Sequence, residues 1–286
     1  MNKIKKIGIL GVGFMGGSLS LALRKKFPGV SICGYTRSRK SYDKLKKLKI
    51  LNKVERDLRK VIKGADLVAL ALPISAIVGY LGKIASFLKP GTIVFDLGSS
   101  KKLIEITAKK ILPKTVTFVG CHPLCGAETS GAQFSKADLY KGTTCIITNL
   151  DIKSKEVKVI KELWKKIGAN VVFLEAGLHD RILARLSHFQ HLISFSTIQA
   201  IPCDVISKFG YLALPSLRDM TRISDSPADV WSDIFLSNKK NILKSIDAFY
   251  KTMKRFEKSL KAENKKDLIR LIKKANSQRT YLEKGK

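Results

Sequence analysis

Ile9-Leu10-Gly11-Val12-Gly13-Phe14-Met15-Gly16-Gly17-Ser18 is the stretch that decides how this chain folds. A short β-type run, Ile4 to Leu10, precedes it, and Leu19-Ser20-Leu21-Ala22-Leu23-Arg24 follows it with amphipathic, helix-forming character. Gly11, Gly13 and Gly16 fit G-x-G-x-x-G between a strand and a helix. In such a turn the first glycine permits the bend, the second lets the backbone approach a pyrophosphate, and the third allows close helix-to-strand packing. The N–H groups at the helix start then face the phosphates, where the helix dipole favours negative charge. Glycine turns also join strands to helices with no ligand, so the flanks carry the weight, and here both are correct. Gly11, Gly13, Phe14, Met15 and Gly16 are therefore candidate dinucleotide contacts.

Working outward, Val30 to Thr36 reads as a second strand, followed by Arg37-Ser38-Arg39-Lys40. NAD-specific sites carry an Asp or Glu about 20 residues past the glycines, bonded to the ribose hydroxyls. Here Thr36 holds that place with cations behind it. A carboxylate would repel a 2′-phosphate, whereas Arg37 and Arg39 would clamp one by charge-assisted hydrogen bonds. Thr36, Arg37, Ser38 and Arg39 thus join the candidate cofactor site, with NADP preferred over NAD; the alternative is a basic helix start of no consequence.

Strands and helical stretches continue to alternate. Ser41–Ile50, Arg56–Lys63 and Ile74–Leu88 read as helices, and Asp66–Pro73, Thr92–Leu97, Thr117–Gly120, Thr144–Thr148 and Asn170–Glu175 as strands. This is the pattern of a doubly wound parallel sheet, whose ligands sit at the carboxyl ends of the strands. The loops after Leu72, Leu97 and Gly120 are then the informative ones, and Leu72 and Pro73 are further candidate cofactor contacts. From about Gly177 no strand-like run remains, and helices are expected over 179–200, 203–213, 228–261 and 263–282. The expected organisation is an α/β Rossmann-type domain over 1–176 followed by an all-helical domain over 177–286, whose long apolar helices suit pairing with a second copy.

Composition bounds the alternatives. At 286 residues, two domains is the default, and a mean hydropathy of zero describes a soluble globular chain. No apolar run reaches membrane-spanning length, and the first strand begins too early to leave room for a signal peptide. Five cysteines without C-x-x-C spacing read as reduced thiols of a cytoplasmic protein. The 54 Lys and Arg against 23 Asp and Glu give a net charge of +31. Those cations are spread among acids along nearly every amphipathic segment, with no aromatic RNA-binding signature or zinc-finger spacing. That favours anionic small ligands over specific nucleic-acid binding.

Four histidines carry the chemical interest. His122 follows a strand in Gly120-Cys121-His122-Pro123-Leu124-Cys125-Gly126-Ala127-Glu128, while His179, His188 and His191 lie on or beside the first helix of the second half. Positions 188 and 191 share a helix face. His-x-x-His also suits a metal, but no third ligand stands at a recognisable spacing, so no metal is assigned. Asp96-Leu97-Gly98-Ser99-Ser100-Lys101 ends a strand at the ligand edge with a hydroxyl and an ammonium, and Arg218-Asp219-Met220-Thr221-Arg222 brings two guanidinium forks suited to carboxylates.

These pieces, in this order and spacing, resemble the prephenate and arogenate dehydrogenase family of tyrosine biosynthesis over nearly the whole chain. The matching segments are the glycine turn, Gly98-Ser99-Ser100-Lys101, Gly120-x-His122-Pro123-x-x-Gly126-x-Glu128-x-Ser130-Gly131, His179-Asp180, Ser187-His188-x-x-His191, and Thr221-Arg222 with Trp231. The resemblance implies oxidative decarboxylation of a cyclohexadienol by a homodimer. His122 would accept the ring hydroxyl proton and Ser99 would hold that hydroxyl. Arg222 and His191 would hold carboxylates, His188 would shape the cofactor-facing wall, and Glu128 and Lys101 would complete the substrate site. Two departures bear on substrate preference: Phe189-Gln190 stands where the family has Leu-Pro, and Cys125 replaces a smaller residue.

Prephenate and arogenate differ by one cation. His179, Arg181, Arg185, His188, His191, Arg218 and Arg222 against Asp180 and Asp219 favour the dianionic prephenate; Gln190 leans the other way, since its carbonyl suits an ammonium. A β-hydroxyacid dehydrogenase shares the glycine opening but needs a Gly-x-x-x-Lys-x-x-x-Asn pattern with no convincing copy here. A nucleic-acid-binding Rossmann protein would leave His122 unexplained. Thr36→Asp should invert the cofactor ranking by repelling the 2′-phosphate, as measured by kcat/KM with each dinucleotide; a wild type that strongly prefers NAD contradicts the reading.

Overall fold

A computed structural model describes residues 4–125 and 131–284. Six parallel strands form the main sheet: β1 (Lys6–Leu10), β2 (Ser31–Tyr35), β3 (Lys53–Glu55), β4 (Leu67–Leu70), β5 (Ile93–Asp96) and β6 (Thr117–Val119), in the order β3-β2-β1-β4-β5-β6. The helices between them are α1 (Phe14–Lys26), α2 (Arg39–Leu48), α3 (Leu58–Ile62), α4 (Ile74–Ile84) and α5 (Lys102–Ile111). Alternate side chains feed two cores. Ile7, Ile9, Leu67, Ala69 and Phe95 pack with Leu19, Leu23 and Trp164 on one side. Leu10, Val68, Leu70 and Val94 pack with Ile77, Leu81 and Ile104 on the other. Burial on both faces is why these strands read as continuous apolar runs rather than alternating ones.

The expected strands after Thr117 do not all extend this sheet. The chain leaves it at Gly120, and β7 (Cys121–Pro123), β8 (Thr144–Ile147) and β9 (Asn170–Phe173) make a second sheet, β7 antiparallel to β8 and β8 parallel to β9. A Cβ at Gly120 would strike Thr148 Oγ1 and Glu105, so the change of sheet needs glycine. Helix α6 (Lys155–Lys166) crosses between β8 and β9 and supplies Trp164, which is fully buried and meets Phe95 and Tyr140 edge-on.

Helical structure follows without further strands among the described residues: α7 (Ala176–Leu183), a π-helical turn (Ala184–His188), α8 (Phe189–Gln199), α9 (Cys203–Phe209), α10 (Pro215–Thr221), a 3-10 turn (Arg222–Asp225) and α11 (Ala228–Ser237). The α/β fold with a helical C-terminal part is therefore as expected. The helix expected over 228–261 is broken at Asn238, whose φ of −114° and ψ of 21° leave the helical region. By packing density the chain divides into Met1–Asn238 and Lys239–Lys286. The second unit is a hairpin of α12 (Lys239–Lys261) and α13 (Lys265–Lys284), turned at Glu263 with a φ of 48° and tied by Ser259 Oγ donating to Asp267 at 2.5 Å. No described helix is long and apolar enough to cross a membrane.

Trp164 yields a stability test. Its Nε1–H is buried without a partner. Trp164→Ala should cost about 3–5 kcal/mol through the cavity it leaves. Trp164→Phe, which also removes the orphaned donor, should cost far less, as read from the denaturant midpoint; a loss for Phe as large as for Ala would overturn the cavity account.

Candidate active site

Strand order reverses beside β1, which pairs with both β2 and β4, and crevices at such points hold ligands. A cavity of about 870 Å³ opens there. One wall is Gly13–Met15 after β1, Ala71–Pro73 after β4, Leu97–Ser99 after β5, and His122 with Pro123 on β7. The helical part supplies the opposite wall, including His188, His191, Arg222 and Trp231.

The glycine turn fits a dinucleotide. Gly11 has a φ of 89°, and a Cβ there would run into the Ala71 carbonyl; a Cβ at Gly16 would strike the Gly11 carbonyl. At Gly13 a Cβ would meet nothing within 4 Å, so that backbone faces open space in front of the α1 N-terminus. The first turn of α1 carries no acid, as a phosphate partner requires. Phe14, Met15, Leu72 and Pro73 lie on the cavity, as Gly13 does. Thr36, Arg37, Ser38 and Arg39 stand just beyond the end of β2, outside the cavity lining. Ser38 Oγ caps α2 by accepting from Ser41 N at 3.1 Å, and Arg39 pairs with Asp43 at 3.1 Å. Arg56, which sequence reasoning missed, reaches the Arg37 carbonyl at 3.3 Å and adds a third guanidinium there.

At the centre is a chain of three side chains. His122 Nδ1 lies 2.9 Å from His179 Nε2, and His179 Nδ1 lies 2.9 Å from Asp180 Oδ1. Asp180 also accepts the backbone N–H groups of Lys101 at 2.8 Å and Lys102 at 3.0 Å. Burial alone would raise the Asp180 carboxyl, but the bonds from His179 and the two N–H groups hold it below its ordinary range. An ionised carboxylate only accepts, so His179 carries its proton on Nδ1 and accepts on Nε2. His122 must then donate through Nδ1, which leaves Nε2 with the lone pair. Burial, then His179 and Lys101, push the His122 pKa well below the ordinary histidine value, so the ring is neutral at pH 7. The result is a base of fixed tautomer on the cavity wall.

Ser99 lines the cavity one loop away. Lys101, read from the sequence as a substrate contact, does not reach it: the side chain is fully buried, its ammonium held by Asp96 and by the Cys121 carbonyl at 2.7 Å. The cause is the buried Asp96 carboxylate, which with the Cys121 carbonyl draws the ammonium inward. His191 does reach the cavity; its ring stacks on Trp231 at 3.4 Å and its Nδ1 lies 3.1 Å from the Ser187 carbonyl. His188, buried beside it, is pushed down to about 4, mainly by desolvation. Its placement follows a π turn in which Phe189 N–H reaches back to Ala184 O, a feature found often at functional sites. Arg222 begins the 3-10 turn and lines the cavity. Glu128 lies outside the described residues.

Of the cations expected beside the substrate, only His188, His191 and Arg222 line the cavity; Arg181, Arg185 and Arg218 are exposed elsewhere. Gln190 is exposed too and donates to the Arg185 carbonyl, so it offers the substrate nothing. Cys125 does line the cavity, its thiol pushed up to about 11 by burial. The coupling of His122 to His179-Asp180 is invisible in sequence, since 57 residues separate the two rings. Among the described residues no three His, Cys, Asp or Glu side chains converge as a metal site.

Comparison with known proteins agrees with this geometry. The family model described as "Prephenate dehydrogenase, nucleotide-binding domain" matches residues 19–173, and "Prephenate dehydrogenase, dimerization domain" matches 175–274. A prephenate dehydrogenase of Lactococcus lactis is 33% identical over 253 residues, covering 87% of this chain and 69% of the relative. A cyclohexadienyl dehydrogenase of Zymomonas mobilis is 28% identical, covering 99% and 97%. The crystal structure of prephenate dehydrogenase from A. aeolicus in complex with hydroxyphenyl propionate and NAD+ superposes with a TM-score of 0.88 at 30% identity, covering 98% of this chain and 99% of that one. With a glycine turn, a buried His–His–Asp chain and an arginine around one cavity, the chain belongs to the prephenate dehydrogenase family of nicotinamide-dependent oxidoreductases.

Proposed function

We propose that the protein is a prephenate dehydrogenase, converting prephenate to 4-hydroxyphenylpyruvate with loss of carbon dioxide. The observation that carries this is the His122–His179–Asp180 chain beside the glycine turn. When bound, the nicotinamide supplies the hydride acceptor. His122 Nε2 takes the proton of the ring hydroxyl as the C–H bond gives up its hydride. The imidazolium so formed is stabilised through His179 by the Asp180 carboxylate, a neutral donor chain ending in fixed negative charge. Ser99 holds the hydroxyl in line. Arg222 binds a substrate carboxylate, and His191, flattened against Trp231, is the second polar group on that wall. The resulting ketone is conjugated toward the carbon that bears the carboxylate, so carbon dioxide leaves and the ring becomes aromatic.

Substrate choice rests on the lining rather than on the count of nearby cations. Among the described residues the cavity offers Arg222 and no carboxylate. An ammonium on the substrate side chain, as in arogenate, would meet no charged partner there. Residues 1–176 serve the nucleotide and 177–286 the substrate and the contact with a second copy. The matched dimerization-domain model and the exposed Phe209, Tyr211, Leu212 and Leu214 support a homodimer. The basic cluster of Arg37, Arg39 and Arg56 behind Thr36 supports NADP over NAD.

Prephenate and arogenate should be compared with each dinucleotide; arogenate ahead by about tenfold, or about 1.4 kcal/mol, would overturn the substrate assignment. His122→Asn should lower turnover about a hundredfold or more with dinucleotide binding intact. Because the His122 pKa lies below 6.5, its base form persists as pH falls past that value. The acid limb of kcat/KM should therefore lie below pH 6.5 and vanish in the variant; a limb centred above about 7 would remove His122 as the base. Arg222→Ala should raise KM for prephenate while leaving dinucleotide affinity unchanged, whereas equal losses would indicate a structural role.

A further inference from the structure

Asn238 ends α11 and is 3% exposed. Its side-chain nitrogen lies 2.8 Å from the Asp180 carbonyl oxygen and 3.1 Å from His188 Nδ1. A backbone carbonyl only accepts, so the amide must present its NH2 group toward Asp180. The second amide hydrogen then points at His188 Nδ1, which must hold a lone pair. A neutral imidazole carries one proton, and that proton is left on Nε2. Burial keeps the ring neutral, with a pKa of about 4. Nε2 itself is buried without a hydrogen-bond partner, and Ser99 lines the same cavity as the ring. The opposite tautomer would put N–H against N–H at Asn238.

We propose that Asn238 is a positioning residue that locks His188 in its Nε2-protonated form, and so fixes the ring in the cavity wall that it shares with Ser99. Asp180 is thus shared by two arms: its carboxylate orients His122 through His179, and its carbonyl orients Asn238, which sets the tautomer of His188. The effect of that ring on turnover rests on the proposed dehydrogenase function of the cavity; the tautomer does not. No sequence motif hints at this arrangement, because Asn238 lies 58 residues from Asp180 and 50 from His188.

The test is imidazole nitrogen NMR on the full-length protein labelled with 15N-histidine. Four histidines make the spectrum assignable, with His188→Gln identifying one set of signals. In the wild type His188 should show a single Nε2–H tautomer at pH 7; an Nδ1–H signal or averaging between tautomers would overturn the proposal, whatever the enzyme turns over. Asn238→Asp keeps the shape but replaces the donor with an acceptor. It should move the His188 signals to the Nδ1-protonated or doubly protonated form. It should also lower kcat for prephenate by about tenfold or more, with dinucleotide affinity unchanged. An unshifted tautomer in that variant, or a shifted tautomer with full kcat, would overturn the positioning role of Asn238. Should Asn238→Asp not fold, the wild-type spectrum still decides the tautomer. Absence of turnover with either cyclohexadienol would defeat the proposed function, while the tautomer of His188 would still be decided by the spectrum alone.

Discussion

One buried carboxylate ties the architecture of this protein to its chemistry. Asp180 accepts from His179 Nδ1 and from the backbone N–H groups of Lys101 and Lys102. The two backbone bonds matter because α5 begins at Lys102 with no side-chain cap of its own. Asp180, on α7, therefore caps the α5 N-terminus from 78 residues away and places a negative charge at the positive end of its dipole. Removing the carboxylate would leave buried donors unpaired at about 1–3 kcal/mol each, so this contact fixes α7 against the loop that follows β5. The same bonds hold Asp180 ionised, and ionisation sets the tautomers of His179 and His122. Fold stability and the tautomers of the two rings depend on the same oxygen atoms.

A second buried charge supports the arrangement from behind. Asp96 at the end of β5 accepts the Gly98 N–H at 2.8 Å and the Cys121 N–H at 3.1 Å, and pairs with the Lys101 ammonium. Lys101 also donates to the Cys121 carbonyl, so the pair grips both sides of the residue before His122. A buried ion pair adds little net stability over apolar packing, but losing one partner strands the other. What it contributes here is position and field: the Ser99 loop and β7 are held together, and the ammonium disfavours a proton on His122. Lys101 thus acts on the site without touching a ligand.

The parallel sheet is legible in the sequence because its signals are local: apolar runs of strand length, a glycine turn and alternating helices. So are the helices after Ala176, and the cavity contacts at Gly13, Ser99, His122, His188, His191 and Arg222, which the family resemblance carries onto single positions. Three things are not. The second sheet depends on Gly120, where the collision of a Cβ with Thr148 is a long-range fact. The inward course of Lys101 depends on Asp96 and the Cys121 carbonyl, so an ammonium next to a ligand loop looks like a ligand contact until the fold is known. The surface cations Arg181, Arg185 and Arg218 pass for pocket groups because spacing along a helix does not reveal which face meets a cavity, and a π turn shifts that face.

The charge of +31 takes on meaning once these positions are known. Among the described residues Lys101 is the one buried lysine or arginine, and it is neutralised by Asp96. Inside the cavity His122 and His188 are neutral at pH 7 and Arg222 supplies fixed positive charge. The net positive charge is therefore a property of the outside. A field of that sign draws dianionic substrates and phosphorylated cofactors toward the protein from a distance, with a range of about 10 Å at 0.1 M salt. The interior shows the reverse, since burial and neighbouring charge keep the His122 ring neutral. Confining positive charge to the surface, with one guanidinium at the cavity, lets the same chain attract anions and keep its buried rings neutral.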